Sequence, residues 1–328
     1  MPQPEKPPLT REERRARRQE RRDKQRLANP ARAAKMHAAR LEAGRELRRG
    51  LQESRAEDGP VLPAGQSFAR SDSFLDVEET ENAGDVIARR FNVGCSGWFY
   101  WQWRGLFYPE SLATSQWFSY YASKFSTVEL NAPFYAWPTV AAVQSWLRAV
   151  GRKKFTYTVK VCELITHIKR FNGTARLIED FYFIGDLLGK HMGCFLFQLP
   201  PSFHYSPARL KRVVDQLDPN RRNVVEFRHA SWWNPLVFKA FEKSKIIFCS
   251  LSAPRLPDVF VQTHDEIYLR LHGLKQWYRH DYSREELKFW SDRIRSANPT
   301  RVWAYFDNDN QAHSTRNSKT FLRQLSKR

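Results

Sequence analysis

Eight short apolar runs, each followed by a helix-like stretch, pace the chain from Asn92 to its end. They are NVGCSG (92–97), TVELNA (127–132), FTYTVKV (155–161), CFLFQLP (194–200), NVVEFRH (223–229), IIFCSLS (246–252), IYLRLHG (267–273) and RVWAYFD (301–307). Their starts lie about thirty residues apart, the length of one strand–helix unit. The stretches between them carry helix-start signals: Ser206 before Pro207, Asn234 before Pro235, and Ser283 three residues ahead of Glu286. Strands that alternate with helices pair in parallel, and eight such units close into a (β/α)8 barrel of the TIM type. An open doubly wound sheet is the alternative. No glycine-rich phosphate loop follows the first run, which counts against its nucleotide-binding form.

Residues 1–90 read differently, as a basic, charged and largely disordered extension and linker ahead of a barrel at 91–328. REERRARRQERRDKQR (11–26) is charged all round, and EDGPVLPAGQSFARSDSF has the Pro, Gly and Ser content of a linker. The formal net charge is +19; residues 1–55 hold 17 Lys and Arg against 8 Asp and Glu, and residues 91–328 hold 34 against 19. The basic excess therefore belongs to both parts. It points to an anionic partner: a small phosphorylated or anionic ligand, with nucleic acid as the other candidate. The four cysteines form no CxxC pair and each adjoins an apolar run, as expected of buried, reduced thiols in a cytoplasmic protein. No apolar run is long enough to cross a membrane, so no membrane partner is expected. Nothing in the sequence specifies a cofactor or an oligomeric state.

The stretch NVVEFRHASWW (223–233) sets ionisable groups inside an apolar strand. Strand residues alternate faces, so Val224, Glu226 and Arg228 share one. The same phase groups Glu129 with Asn131, puts Lys160 on the polar face of the third run, Gln198 at the end of the fourth, and Arg270 with His272. The outside of a barrel must be apolar to pack on its helices. The polar face is then the interior, at the C-terminal ends of the strands, where barrel enzymes build their sites. Glu129, Glu226, Lys160, Arg228 and His272 are the catalytic candidates, with the two carboxylates dividing acid and base roles. A metal held by Glu129, Glu226, His272 and Asp307 is opposed by the neighbouring cations, and no metal is expected. The loops after the last two runs are basic. His313, Arg316 and Asn317 stand where the final helix begins, a place that suits phosphate; a plain helix cap at Ser314 is the alternative. Seven of the eleven tryptophans, Trp98 and Trp277 among them, fall in the loops that follow strands. They suit either loop packing or a platform for a ring-bearing ligand.

An ordered series of blocks carries a family resemblance: VGCSGWFYWQWRGLFYP (93–109), STVELNAPFYAWP (126–138), FTYTVKV with ITH (165–167), LFQLPPSF (196–203), VEFRHASWW (225–233), YLRLHG (268–273) and YFDNDNQAHSTRNS (305–318). Over roughly 92–325 the chain resembles the YecE-like family, labelled as domain of unknown function number 72. The resemblance implies a TIM-type barrel and leaves the activity open. It carries the family's recurring polar positions onto Ser96, Trp98, Glu129, Asn131, Lys160 and His167, onto Gln198, Glu226, Arg228 and His229, and onto Arg270, His272, Asn308, His313 and Asn317. The chain departs from the pattern in four places. It has NAPFY where the family has Asn-Ser-Thr-Phe-Tyr, Glu163 where an Arg is usual, no Asp at the end of the sixth strand, and DND in place of Asn-Asn-Asp. The missing sixth-strand Asp leaves open whether the site is altered or inactive. The combined expectation is a metal-independent enzyme, of hydrolase or lyase type, acting on a phosphorylated sugar or nucleotide-like ligand. A non-catalytic nucleic-acid-binding protein is the alternative.

Overall fold

The computed structural model describes residues 10–57 and 90–327. All eight expected strands form: β1 Phe91–Cys95, β2 Thr127–Leu130, β3 Thr156–Lys160, β4 Met192–Gln198, β5 Asn223–Glu226, β6 Ile247–Ser252, β7 Glu266–Leu271 and β8 Arg301–Phe306. Neighbours pair in parallel from β2 through β8 and on to β1. The seam between β1 and β2 is closed by a single parallel bridge, Ser96 to Glu129. The Tyr121 phenol stitches the rest of that seam, accepting from the Cys95 amide at 2.9 Å and donating to the Thr127 carbonyl at 3.0 Å. Gly94 permits the close approach, since a Cβ there would stand 2.5 Å from the Thr127 oxygen. The open-sheet alternative is excluded, and the barrel is of TIM type.

The lower barrel interior is filled by Leu196, Val224, Ile247, Cys249, Leu251, Tyr268, Trp303 and Tyr305. Outside, the helices pack apolar faces on the strands, and their starts use the signals read from the sequence. Ser206 accepts from the Arg209 amide, Asn234 from the Val237 amide, and Ser283 with Glu286 forms a full capping box; each such cap contributes about 1 kcal/mol. Trp103, Trp137 and Trp232 are fully buried and fasten their loops. Most of the tryptophan excess is thus packing. The four cysteines are buried and unpaired, and burial pushes the Cys95 and Cys162 thiols up to about 12, which makes them inert.

Part of the region before the barrel, residues 10–57, is among the described residues. Residues Arg11–Glu57 form one long helix, α1, and its middle is docked on the barrel. Asn29, Ala33 and Met36 are buried, at the three- and four-residue spacing of one helix face. Asn29 donates to the Tyr135 carbonyl at 3.2 Å and accepts from the Trp137 amide at 2.9 Å. Arg26 makes two bonds to Glu163, at 2.8 and 3.0 Å, and His37 and Arg40 both reach Asp180, at 2.8 and 2.9 Å. The docking face is small and polar, while Leu27 and Leu47 point to solvent. Hydrophobic periodicity therefore gives no sign of it. The rest of the expected extension and linker, residues 1–9 and 58–89, lies outside the described residues. Among the described residues no helix is long and apolar enough to cross a membrane.

Candidate functional site

At the C-terminal ends of the strands the polar interior positions converge on one guanidinium. Arg270 of β7 is fully buried. Its Nη1 donates to Glu226 at 2.6 Å, and its Nη2 donates to Glu129 at 2.5 Å, to the Ser96 hydroxyl at 3.0 Å and to Asp307 at 3.4 Å. Glu129 also accepts from the Ser96 hydroxyl and, on its second oxygen, from the Tyr268 hydroxyl at 2.5 Å. Glu226 accepts from Arg228 on the oxygen that Arg270 leaves. His272 sets Nδ1 3.0 Å from Asp307 and Nε2 3.1 Å from Arg228. Nδ1–H donates to the carboxylate, so Nε2 accepts from the guanidinium.

Isolated, each of these buried charges would cost several kcal/mol; here each faces its opposite. Burial pushes the Glu226 carboxyl up, but Arg228 and Arg270 outweigh it and hold it well below the ordinary value. Asp307 balances the same way, burial being overcome by the His272 hydrogen bond and Arg270. A metal set of Glu129, Glu226, His272 and Asp307 is already occupied by the positive charge of Arg270. Among the described residues no group of His, Cys, Asp and Glu side chains is arranged to hold a metal ion.

Above this lattice stands a ring of reachable groups. Lys160 is half-buried, its ammonium 4.2 Å over the Phe134 ring. Among the described residues it has no carboxylate or hydrogen-bond partner. Burial, then the positive charge of Arg270, brings its pKa down to about 8. Burial and Lys160 together bring His167 down to about 4, so it is neutral near pH 7; its Nε2 lies 3.5 Å from the Gln198 amide. Asn131 donates to the Ser96 carbonyl at 3.2 Å, while its side-chain oxygen is buried without a partner among the described residues. Arg228 lies over the Trp277 ring at 4.7 Å.

The sequence candidates thus divide. Ser96, Glu129, Asn131, Lys160, Gln198, Glu226, Arg228, Arg270 and His272 come together. Trp98 packs edge-on against Phe118 at 4.9 Å and belongs to the outer core. His229 stacks on His204 at 3.9 Å and bonds Ser231. Asn308 and Asn317 bond each other at 2.7 Å and hold the loops that follow β7 and β8. His313 and Arg316 share Asp281, at 3.1 and 3.4 Å, so an acid already faces the two side chains expected to take phosphate. Ser314 does not cap the last helix; Ala312 occupies the cap position. Trp277, one of the loop tryptophans suited to a platform, lies at the site, and Tyr268 joins it without being a candidate in the sequence. Tyr268 lies two residues before Arg270, so strand alternation alone puts it on the same face.

Comparison with known proteins supports the barrel and stops short of an activity. A family model described as protein of unknown function DUF72 matches residues 92–328. The chain is similar to the UPF0759 protein YunF of Bacillus subtilis (strain 168), with 23% identity over 71% of this chain and 94% of that protein. Among solved structures it is similar to a DUF72 family protein of Thermotoga maritima MSB8, with 27% identity, a TM-score of 0.65, and 73% and 100% of the two chains covered. A DUF72 family protein of Enterococcus faecalis V583 shares the fold, with a TM-score of 0.60 at 18% identity, covering 73% and 99%.

Proposed function

Since the chain belongs to the DUF72 family, whose function is unknown, its activity has to be read from the site, and we propose a metal-independent hydrolase or lyase for a phosphorylated sugar or nucleotide-like substrate. One observation carries this reading. Lys160 is a half-buried ammonium whose side chain makes no direct ion pair or hydrogen bond among the described residues, with Glu226 and Asp307 acting on it only from a distance. In this reading Arg228 and Lys160 hold the anionic group, Trp277 stacks on the ring, and Lys160 moves the proton. A group with its pKa at about 8 gives and takes a proton near neutrality at low cost. Glu129 and Glu226 spend their oxygens on Arg270, Arg228, Ser96 and Tyr268, so their part is positioning the cations.

The test is a thermal-shift panel of sugar phosphates and nucleoside monophosphates on wild type, Lys160→Met and Arg228→Gln. A stabilising ligand should lose at least tenfold in affinity in both variants. Its binding to wild type should weaken as pH rises past about 8, because Lys160 is charged below its lowered pKa and neutral above it; about nine-tenths of it is neutral one unit higher. That pH dependence should vanish in Lys160→Met. Undiminished binding in both variants would defeat the reading.

A second reading, nucleic-acid binding, has one observation in its favour. The side chains of α1 from Arg15 to Lys24 are exposed, and the docked residues Arg26 and Asn29 meet the loops after β2 and β3 at the site end of the barrel. Oligonucleotide affinity that falls steeply with salt, and falls again when residues 1–25 are removed, would favour it.

A further inference from the structure

The opposite end of the barrel carries a cavity of about 600 Å³, bounded by the starts of β1, β3, β4 and β8. Its lining is cationic. Arg152 and Lys153 come from the turn into β3, Lys190 from the turn into β4, and Arg222 and Arg301 from the approaches to β5 and β8. No acidic residue lines it among the described residues. Glu266 meets Arg222 at 3.0 Å, Arg301 at 3.2 Å and the Trp303 indole N–H at 2.7 Å. Its one charge is shared between two guanidiniums. The side chains of Arg152, Lys153 and Lys190 are exposed and have no ion-pair or hydrogen-bond partner among the described residues. A second cavity of about 670 Å³ shares Arg222, but there Arg221 is paired with Asp186 at 2.6 Å and Glu266 also joins the lining, so the cationic surplus belongs to the first cavity.

This end of a TIM-type barrel ordinarily serves stability. Gathered cations do the reverse, because like charges repel. They also do not pack: the aromatic rings at the cavity, Phe155 and Trp303, are buried and expose almost no face on which a base could stack. What such a lining recognises is charge of the opposite sign in a form that takes several donors at once. Phosphate does this, with lysine as a point contact and arginine as a fork.

We infer that the N-terminal mouth is a second anion site, which binds a ligand bearing several phosphates through those phosphates and not through a base or sugar. The shared chemistry has two sources, a compact oligophosphate or a nucleic-acid backbone, and the experiment separates them. Binding of tripolyphosphate and of a mixed-sequence single-stranded oligonucleotide would be measured on the full chain. The variants are Arg152→Gln/Lys153→Gln/Lys190→Gln, Arg17→Gln/Arg18→Gln/Arg21→Gln on α1, and Lys160→Met at the opposite mouth.

The first triple variant should lose at least tenfold in affinity for the probe that binds, while the other two stay within twofold. Tripolyphosphate affected alone identifies a compact ligand. Both probes affected, with the oligonucleotide the tighter, identify a nucleic-acid backbone. Binding of neither probe to wild type, or affinity within twofold of wild type in the first triple variant, overturns the inference. Loss confined to Lys160→Met would assign the anion to the proposed active site, and loss confined to the α1 variant to the helix; either overturns it too. Failure of the proposed enzymatic reading leaves this outcome untouched, since the two sites are read by different substitutions.

Discussion

The two mouths of the barrel handle charge in opposite ways. At the C-terminal end Arg270, Glu129 and Glu226 are fully buried, and Arg270 answers both carboxylates within 2.6 Å. At the N-terminal end Arg152, Lys153 and Lys190 stand in solvent, with Glu266 shared between the two arginines below them. The physical reason is dielectric. A charge without water must find its opposite nearby or cost several kcal/mol, whereas an exposed one is screened by water and by salt over roughly 8 Å. The buried end is therefore fixed before any ligand arrives, and what varies there is the ring of Lys160, Arg228 and Trp277 above it. At the exposed end the side chains of Arg152, Lys153 and Lys190 have no partner among the described residues. Pairing at one end is a condition of folding; the exposed cations at the other can serve binding.

The largest expected effect follows from the central guanidinium. Arg270→Met keeps most of the side-chain length and removes the charge that Glu129 and Glu226 both use. Breaking a buried ion pair by removing one partner costs about 3–5 kcal/mol. The variant should fall by that much in denaturant unfolding, or fail to fold. Adding Glu129→Gln should recover part of the loss, because one uncompensated charge is then gone. A cost under about 1 kcal/mol would break the comparison, for it would mean that water reaches the lattice.

The contrast also explains what the sequence discloses. The eight strands and their polar phase are legible because alternation leaves a strong imprint: Glu226 and Arg228 are visible within a run of Val and Phe. The convergence on Arg270 follows, since five strands presenting polar groups inward must meet. The distribution of roles within the cluster is not legible. Glu129 and Glu226 look like a free acid and base until their partners are known, and Tyr268 looks like core. The last helix is legible only in part: His313 and Arg316 suggest an anion site, while Asp281, which faces both, comes from a different loop. The docking of α1 is the least legible of all. Its buried stripe of Asn29, Ala33 and Met36 has too little apolar surface to register against the arginines around it. The single trace is Glu163, an acid where the resembling family usually has Arg, and α1 supplies its partner in Arg26.

That helix is an intermediate case between the two mouths, with partly buried polar groups and an exposed flank. Asn29→Ala removes both bonds to the Tyr135–Trp137 backbone. Leaving a buried donor or acceptor unmet costs about 1–3 kcal/mol. The loss should appear locally, because α1 can open without unfolding the barrel. Hydrogen exchange should lose protection across residues 26–43, by about tenfold or more for about 1.4 kcal/mol of lost docking, while β3 and β4 keep theirs. Loss of protection in the barrel strands as well would show that helix and barrel form one cooperative unit.

The smallest effect on stability is expected where the charges are most numerous. Arg152, Lys153 and Lys190 touch no acid among the described residues, so replacing all three with Gln removes repulsion and no bond. Exposed substitutions of this kind fall within about 0.5 kcal/mol per site, and the sign here should be favourable at low salt. Raising the salt should shrink the gain, since screening already weakens the repulsion in wild type. The unfolding midpoints of wild type and triple variant, compared at low and high ionic strength, give the answer. A gain that fades with salt would mean that the cations are held against folding stability, as a binding surface requires. A loss of more than about 1.5 kcal/mol would mean that they are paired after all, and the difference between the two mouths would be one of exposure alone.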